Sequence, residues 1–365
     1  MSELVTTTSS GLARITLNRP EALHALNTGM CLAMTEALLA WRKDESVRAV
    51  LIDHQHGTRG FCAGGDIRML AESGKGDGKA ARAFFFAEYR LNHLLFSYPK
   101  PVVAIMDGVT MGGGVGVSMP AKFRIATEST TYAMPETGIG LFPDVGGGWY
   151  LPRKPGQVGM WLALTGARLK ASDCIAAGIA THYLPTEILG PARAQIAGAA
   201  LTHDAERALQ SGLDALGESA GAPKELTPEN RARIDAIFAL ESVEAIFAAL
   251  AADGSDWSKT QLKTLAAKSP QTLKVAFRQL REGARMRNFA DEMIQEYRIG
   301  ARVVQRHDFI EGVRALIVDK DNAPAWDPAG LAGVTDKILD DIFAPLPLDG
   351  SLGEEWTPLV DETAV

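Results

Sequence analysis

Apolar residues recur at two different periods along the first 180 positions. "GLARITLNRP" (Gly11–Pro20) alternates and ends in a turn, which predicts a strand, and "RAVLIDHQ" (Arg48–Gln55) reads as a buried one. Between them Met30, Met34, Ala37, Leu38 and Trp41 fall at helical spacing. A helix is therefore predicted over Thr28–Lys43, with Asn27 or Thr28 as its N-cap. "PVVAIMDGV" (Pro101–Val109) predicts a third strand, and "KFRIAT" (Lys122–Thr127) and "TYAM" (Thr131–Met134) two short ones. This rhythm of strand, glycine turn and helix indicates an α/β fold. Beyond about residue 185 the helical period takes over. Pro191–Ser211, Pro228–Leu240, Val243–Ala252, Trp257–Ala267, Thr272–Arg281 and Asp291–His307 all read as helices, and the residues after Pro345 as an acidic, loosely held tail. The expected division is 1–185, 186–345 and 346–365.

Composition narrows the function. A chain of 365 residues with 46% hydrophobic and 22% charged positions is ordinary for a globular protein of one large or two modest domains. Its net charge of −7, with no basic block, argues against a general nucleic-acid binder, which must neutralise phosphates. Cys31, Cys62 and Cys174 are widely separated and odd in number, so neither a disulfide framework nor a zinc spacing is present. The opening residues carry no apolar signal core or basic amphipathic targeting sequence, and no apolar run reaches membrane-spanning length. The expected location is cytoplasmic, with no membrane partner. "HQH" (54–56) reads as a solvated loop rather than a metal site, and "LDDIF" as a solvated helix face. There is no P-loop, no complete G-x-G-x-x-G and no Gly-x-Ser-x-Gly elbow.

Three glycine clusters remain: "GFCAGGDIR" (Gly60–Arg68), "MGGGVG" (Met111–Gly116) and "PDVGGG" (Pro143–Gly148). Each is either a tight turn or a place where backbone comes close to a ligand. Two such loops side by side could aim bare N–H groups at one oxyanion. Near the third cluster, "MPETGIGLFPDVGGGWYLPR" holds only two acids, Glu136 and Asp144, among apolar residues, glycines and prolines. Ionised carboxylates in such a stretch are either at the surface or put to use in a shared pocket.

Taken together, these stretches resemble the enoyl-CoA hydratase/isomerase (crotonase) superfamily. "LNRPEALHALN" is similar to its N-terminal signature, "FCAGGDIR" to its first oxyanion loop and "MGGGVG" to its second. "MPETGIGLFPDVGGGWYLPR" and "HDFIEGVRALIVDKDNAPAWDP" (His307–Pro328) resemble the 3-hydroxyisobutyryl-CoA hydrolase branch. The resemblance implies a spiral of repeated ββα units with a helical C-terminal region. It further implies an acyl-CoA thioester as substrate, with CoA part of that substrate, no metal or other cofactor, a setting in valine catabolism and a possible homo-oligomer. It places the thioester oxygen between the N–H groups of Gly65 and Gly113, and gives the catalytic roles to Glu136 and Asp144, with Glu88 as a further substrate-contacting acid. Leu23, His24, Ala63, Asp66 and Ile67 are expected along the CoA path, largely through their backbone, and Arg19 and Arg68 near its phosphates. Phe84, Phe85, Phe142 and Trp149 are candidates for shaping the acyl pocket. Where a hydratase of the family has its first catalytic glutamate, this chain has Gly116, so ordinary hydration is disfavoured. An isomerase working with one carboxylate stays as the alternative.

Overall fold

The structure is a computed structural model and describes residues 2–359. In chain order the strands are β1 (Leu4–Ser9), β2 (Leu12–Leu17), β3 (Ala49–His54), β4 (Gly60–Cys62), β5 (Val102–Met106), β6 (Val109–Met111), β7 (Phe123–Ala126), β8 (Thr131–Ala133) and β9 (His182–Tyr183). They form a larger sheet in the order β1-β2-β3-β5-β7-β9 and a smaller one in the order β4-β6-β8. From β3 to β8, successive strands enter the two sheets alternately, so each pair of strands with its helix adds one turn to a spiral. All pairings are parallel except β1 with β2. That antiparallel pair closes through Ser10 and Gly11, both at positive φ (50° and 85°), the geometry a two-residue hairpin needs.

The central strands β3 and β5 of the larger sheet are buried on both faces, and side-chain alternation separates them. Val50, Ile52, Ala104 and Met106 join one apolar cluster, whereas Ala49, Leu51, Val103 and Ile105 join another. Helices Leu189–Ala200 and Ala205–Leu216 cover the second face. The sequence predicts one helix there; Asp204 breaks it by capping the second segment, accepting from the Arg207 N–H at 3.1 Å. The first cluster runs from Leu4 to Trp356 and takes in the remaining C-terminal helices, so spiral and helical region share one core.

Three helices of the spiral bear on the glycine loops and the acids. α1 (Thr28–Lys43) has the expected bounds, with Asn27 accepting from the Met30 N–H at 2.9 Å. α2 (Ile67–Lys75) comes directly after the first glycine loop, and α3 (Lys79–Phe96) runs through the core with Glu88 and Asn92 buried. The segment after Pro345 departs from the expected loose tail. Trp356 is 1% exposed, Glu355 pairs with Arg298 at 3.0 Å, and Arg90 donates to the Thr357 carbonyl at 2.8 Å. Residues 360–365 of that expected tail lie outside the described residues.

Candidate active site

The small sheet explains why the glycine loops meet. β4, β6 and β8 are parallel (Gly60 beside Val109, Val109 beside Thr131), with a one-residue register shift between Gly60 and Cys62, and their carboxyl ends point the same way. Gly64 and Gly65 follow the first, Gly112 and Gly113 the second, and Glu136 the third. Active sites commonly form beyond the carboxyl ends of parallel strands for this reason. The loops touch: a Cβ on Gly112 would lie 3.2 Å from the Gly64 Cα and 3.4 Å from Glu136 Oε1. Gly113 opens the short helix α4 (Gly113–Ser118), where N–H groups lack partners in their own helix. Neither the Gly65 nor the Gly113 N–H donates a backbone hydrogen bond among the described residues.

The close approach of α3 to α4 requires the second glycine cluster. A Cβ at Gly113 would sit 2.6 Å from Glu88 Oε1, and one at Gly116 2.6 Å from Asn92 Nδ2 and 2.8 Å from Val145 Cβ. Glu88 and Asn92, one turn apart on α3, thus occupy the space that side chains on α4 would take. No glutamate fits at Gly116 without moving α3.

A cleft of about 70 Å³ results, lined by Ala63, Gly65, Ile67, Phe84, Phe85, Glu88, Gly113, Glu136 and Asp144 among others. Glu88, Glu136 and Asp144 are 2%, 5% and 4% exposed, and Glu88 Oε1 and Glu136 Oε2 have no hydrogen-bond partner among the described residues. Burial is the main force raising all three carboxyl pKa values. For Glu88 the charges of Asp144 and Glu136 add to it, and for Glu136 that of Asp144. Asp144 is pushed up to about 7, held from going higher by the Tyr89 hydroxyl, which donates to its Oδ2 at 2.9 Å. Lys268 opposes the rise at Glu136. It lines a second recess of about 650 Å³ that shares Pro135 and Ile139 with the cleft.

Other expected residues fall outside the cleft. His24 is fully buried; its Nδ1 accepts from the Arg19 N–H at 2.9 Å and its Nε2 lies 2.8 Å from Thr58 Oγ1. Burial and the neighbouring His54 lower its pKa to about 4, so it is a neutral scaffold residue. Leu23 adopts positive φ and receives the Ala63 N–H at 3.0 Å, which fixes the first glycine loop. Asp66 caps α2 and pairs with Arg19 at 2.9 Å, and Arg19 also reaches Glu3 at 3.2 Å, so both side chains are engaged internally. Arg68 lines a separate recess with Lys75 and Arg314. Phe142 is core, and Trp149 stacks under Arg153 at 3.5 Å, so neither shapes the cleft. In "HQH", His54 is buried beside His24 while His56 faces solvent, so the two do not converge. Sequence reasoning missed Tyr89 and Lys268. Tyr89 was detectable as a polar tip on the buried face of "FFFAEYR"; Lys268 has no local signal.

The enoyl-CoA hydratase/isomerase family model matches residues 12–343. The chain belongs to that family. Among its relatives, the zebrafish (Danio rerio) protein named 3-hydroxyisobutyryl-CoA hydrolase, mitochondrial, is 45% identical over 334 residues, covering 91% of this chain and 87% of the relative. The human protein of the same name is 42% identical over 335 residues, covering 91% and 86%. A crystal structure of a carnitinyl-CoA dehydratase from Mycobacterium thermoresistibile superposes with a TM-score of 0.88 at 38% identity, covering 98% of this chain and 99% of the other. The cytoplasmic location expected from the sequence is overturned by the named relatives, which are mitochondrial enzymes. In this member of the family the fold brings two unengaged N–H groups beside three buried acids. No helix among the described residues is long and apolar enough to cross a membrane.

Proposed function

We propose that this chain hydrolyses 3-hydroxyisobutyryl-CoA to 3-hydroxyisobutyrate and free CoA, a step of valine catabolism. The observation that carries this reading is the pairing of Glu136 with Asp144 in one cleft against the unengaged N–H groups of Gly65 and Gly113. The relatives named for that activity, at 40–45% identity, support it. In the proposed mechanism the thioester oxygen sits between the two N–H groups, each donor contributing about 3–4 kcal/mol to the transition state. Glu136 acts on the carbonyl carbon, either attacking it to give an anhydride or removing a proton from the attacking water. The C–S bond breaks and the CoA thiolate takes a proton, in the water route from Glu136 and in the anhydride route from the water that then hydrolyses the anhydride to the acid and free Glu136. Asp144 holds the 3-hydroxyl, and Glu88 limits the acyl end. The route draws its electrophile from backbone dipoles and calls for no metal or redox group. CoA arrives as part of the substrate.

The deciding assay is release of CoA thiol from 3-hydroxyisobutyryl-CoA, with crotonyl-CoA and acetyl-CoA beside it. The expected result is fast release from the hydroxyacyl substrate alone, with kcat falling by about 10²–10⁴-fold in Glu136→Gln. Hydration or isomerisation of crotonyl-CoA without thiol release would move the chain to the dehydratase side of the family, where one structural neighbour stands. The space at Gly116, filled by Asn92 and Val145, favours the hydrolase. Single turnover in ¹⁸O-labelled water separates the two routes: label in Glu136 marks direct attack, and its absence the water route.

A further inference from the structure

Behind the Asp144 loop lies a second group of buried polar side chains that the cleft does not use. Helix Phe289–Val303 carries Glu292 and Glu296 one turn apart, and helix Pro270–Gly283 carries Gln279; all three are 0% exposed. Val145 and Gly146 both adopt left-handed φ (53° and 92°), which turns the following N–H groups inward. Glu296 receives two N–H groups of this turn, Oε2 accepting from Gly146 at 2.9 Å and Oε1 from Gly148 at 3.3 Å, while the Gly147 N–H donates to the Asp144 carbonyl at 2.8 Å. Gln279 Nε2 donates to the Pro143 carbonyl at 2.8 Å and to Glu296 Oε1 at 3.1 Å. Asp144 is therefore bracketed, its preceding carbonyl and the N–H two residues on both being held by this one group. The fit leaves no slack. A Cβ at Gly148 would lie 1.9 Å from Glu292 Oε1, and one at Gly146 2.7 Å from the Tyr150 ring.

Two adjacent buried carboxyls do not both ionise. Glu296 accepts three N–H donors, which oppose but do not cancel the rise in its pKa caused by burial and by the charges of Glu292 and Asp144. Glu292 accepts from Gln279 at 3.4 Å, lies against Glu296 and is pushed up to about 7 by burial, its Oε2 without a partner among the described residues, so the two acids share a proton. The titratable groups facing the pair are Asp144 and Tyr150 from the loop and the turn after it, Tyr89 from α3, and Arg153 and Glu282 beside Glu292.

We infer that Glu296 with Gln279 is a positioning unit that sets the place of Asp144 and so the enzyme's selection of the hydroxyacyl group. The inference rests on the proposed role of Asp144 as the holder of the 3-hydroxyl. The C-terminal helices, absent from a bare spiral, supply this unit across about 150 residues of sequence, as the Gly146–Glu296 separation of 150 shows.

The test compares kcat/KM for 3-hydroxyisobutyryl-CoA and isobutyryl-CoA in wild type, Asp144→Asn, Glu296→Gln, Glu292→Gln and Gln279→Met, each verified as folded by circular dichroism. Glu296→Gln turns an NH₂ toward a glycine N–H. It is expected to lower the hydroxyacyl preference by about tenfold or more, towards that of Asp144→Asn, and the double variant to lose little further. Glu292 holds neither the loop N–H groups nor the Pro143 carbonyl, so Glu292→Gln is expected to stay within about threefold of wild type. Should Glu296→Gln fail to fold, Gln279→Met, which keeps volume but frees Pro143, carries the test with the same expected direction. Wild-type preference in a folded Glu296→Gln or Gln279→Met, beside loss in Asp144→Asn, would overturn the positioning unit and leave the Asp144 reading standing. Wild-type preference in Asp144→Asn would sink that reading, and the positioning unit with it. Equal loss in Glu292→Gln and Glu296→Gln would overturn the assignment of positioning to Glu296 and Gln279 and make the whole buried cluster a packing requirement.

Discussion

Glu88, Glu136 and Asp144 are raised above ordinary carboxyl pKa values, mainly by burial, and this fixes the sign of their effect on stability. Between about pH 4, where an unfolded carboxyl titrates, and its raised folded value, each group holds a proton in the native state that the unfolded chain has released. Stability from these groups is therefore fully present at low pH and is lost as pH rises through the folded values, near 7 for Asp144. Melting curves of wild type and Glu88→Gln across pH 5–8 check this. The variant is expected to lose less stability over that range and to be the more stable at pH 8; a parallel decline would contradict it. The same cleft gives an activity prediction. Lys268 lowers the Glu136 pKa, so Lys268→Met is expected to move the acid limb of the kcat profile to higher pH while leaving the alkaline side in place. At this scale the sequence is readable where an acid stands among apolar residues, as Glu136 and Asp144 do. It is unreadable where the partner, Lys268 or Glu296, comes from far along the chain.

Among the elements, α1 was legible to the residue because its apolar spacing and its cap agree. β1 was not: five of its six residues are exposed, so an edge strand of threonines shows no alternation, and only the Ser10–Gly11 turn and the pairing with β2 define it. β4 and β6, three residues each, are too short for any period, although they set the ends from which the site is built. The glycines of "MGGGVG" admitted two readings from sequence, a turn or a ligand loop, and the structure adds a third, the crossing of α3 over α4. That crossing predicts the outcome of Gly116→Ala. The new Cβ would meet Asn92 and Val145 at under 3 Å, an overpacking that costs about 1–3 kcal/mol and pushes α3, with Glu88, out of place. Urea unfolding should report the lost stability, and thiol release a lowered kcat. A neutral effect on both would mean that α3 can shift without consequence.

The larger of the two apolar clusters joins the spiral to the C-terminal helices from Pro228 onward, and its last fully buried member is Trp356. This ring packs at 5.8 Å from that of His93 and donates from its Nε1 to the Phe86 carbonyl at 3.3 Å, both on the outer face of α3. Glu355 beside it ties Arg298 of the helix bearing Glu296, and accepts from the Leu346 N–H at 2.8 Å. The closing segment thus braces two helices whose inner faces present Glu88, Tyr89 and Glu296 to the site. A local sequence reading cannot find this, because an acidic stretch with one tryptophan has no periodicity and its partners lie far off along the chain, 57 residues for the Arg298–Glu355 bond and 270 for the Phe86–Trp356 bond. Trp356→Ala empties a fully buried site and is expected to cost about 3–5 kcal/mol. If the segment also braces the catalytic helices, thiol release should fall at temperatures well below the lowered Tm, with kcat affected more than KM, because α3 and its acids are displaced rather than the CoA path. Loss of stability with an unchanged kcat would make the segment a fastening of the fold alone. Loss of both would extend the working machinery of the spiral to the segment that carries Glu355 and Trp356.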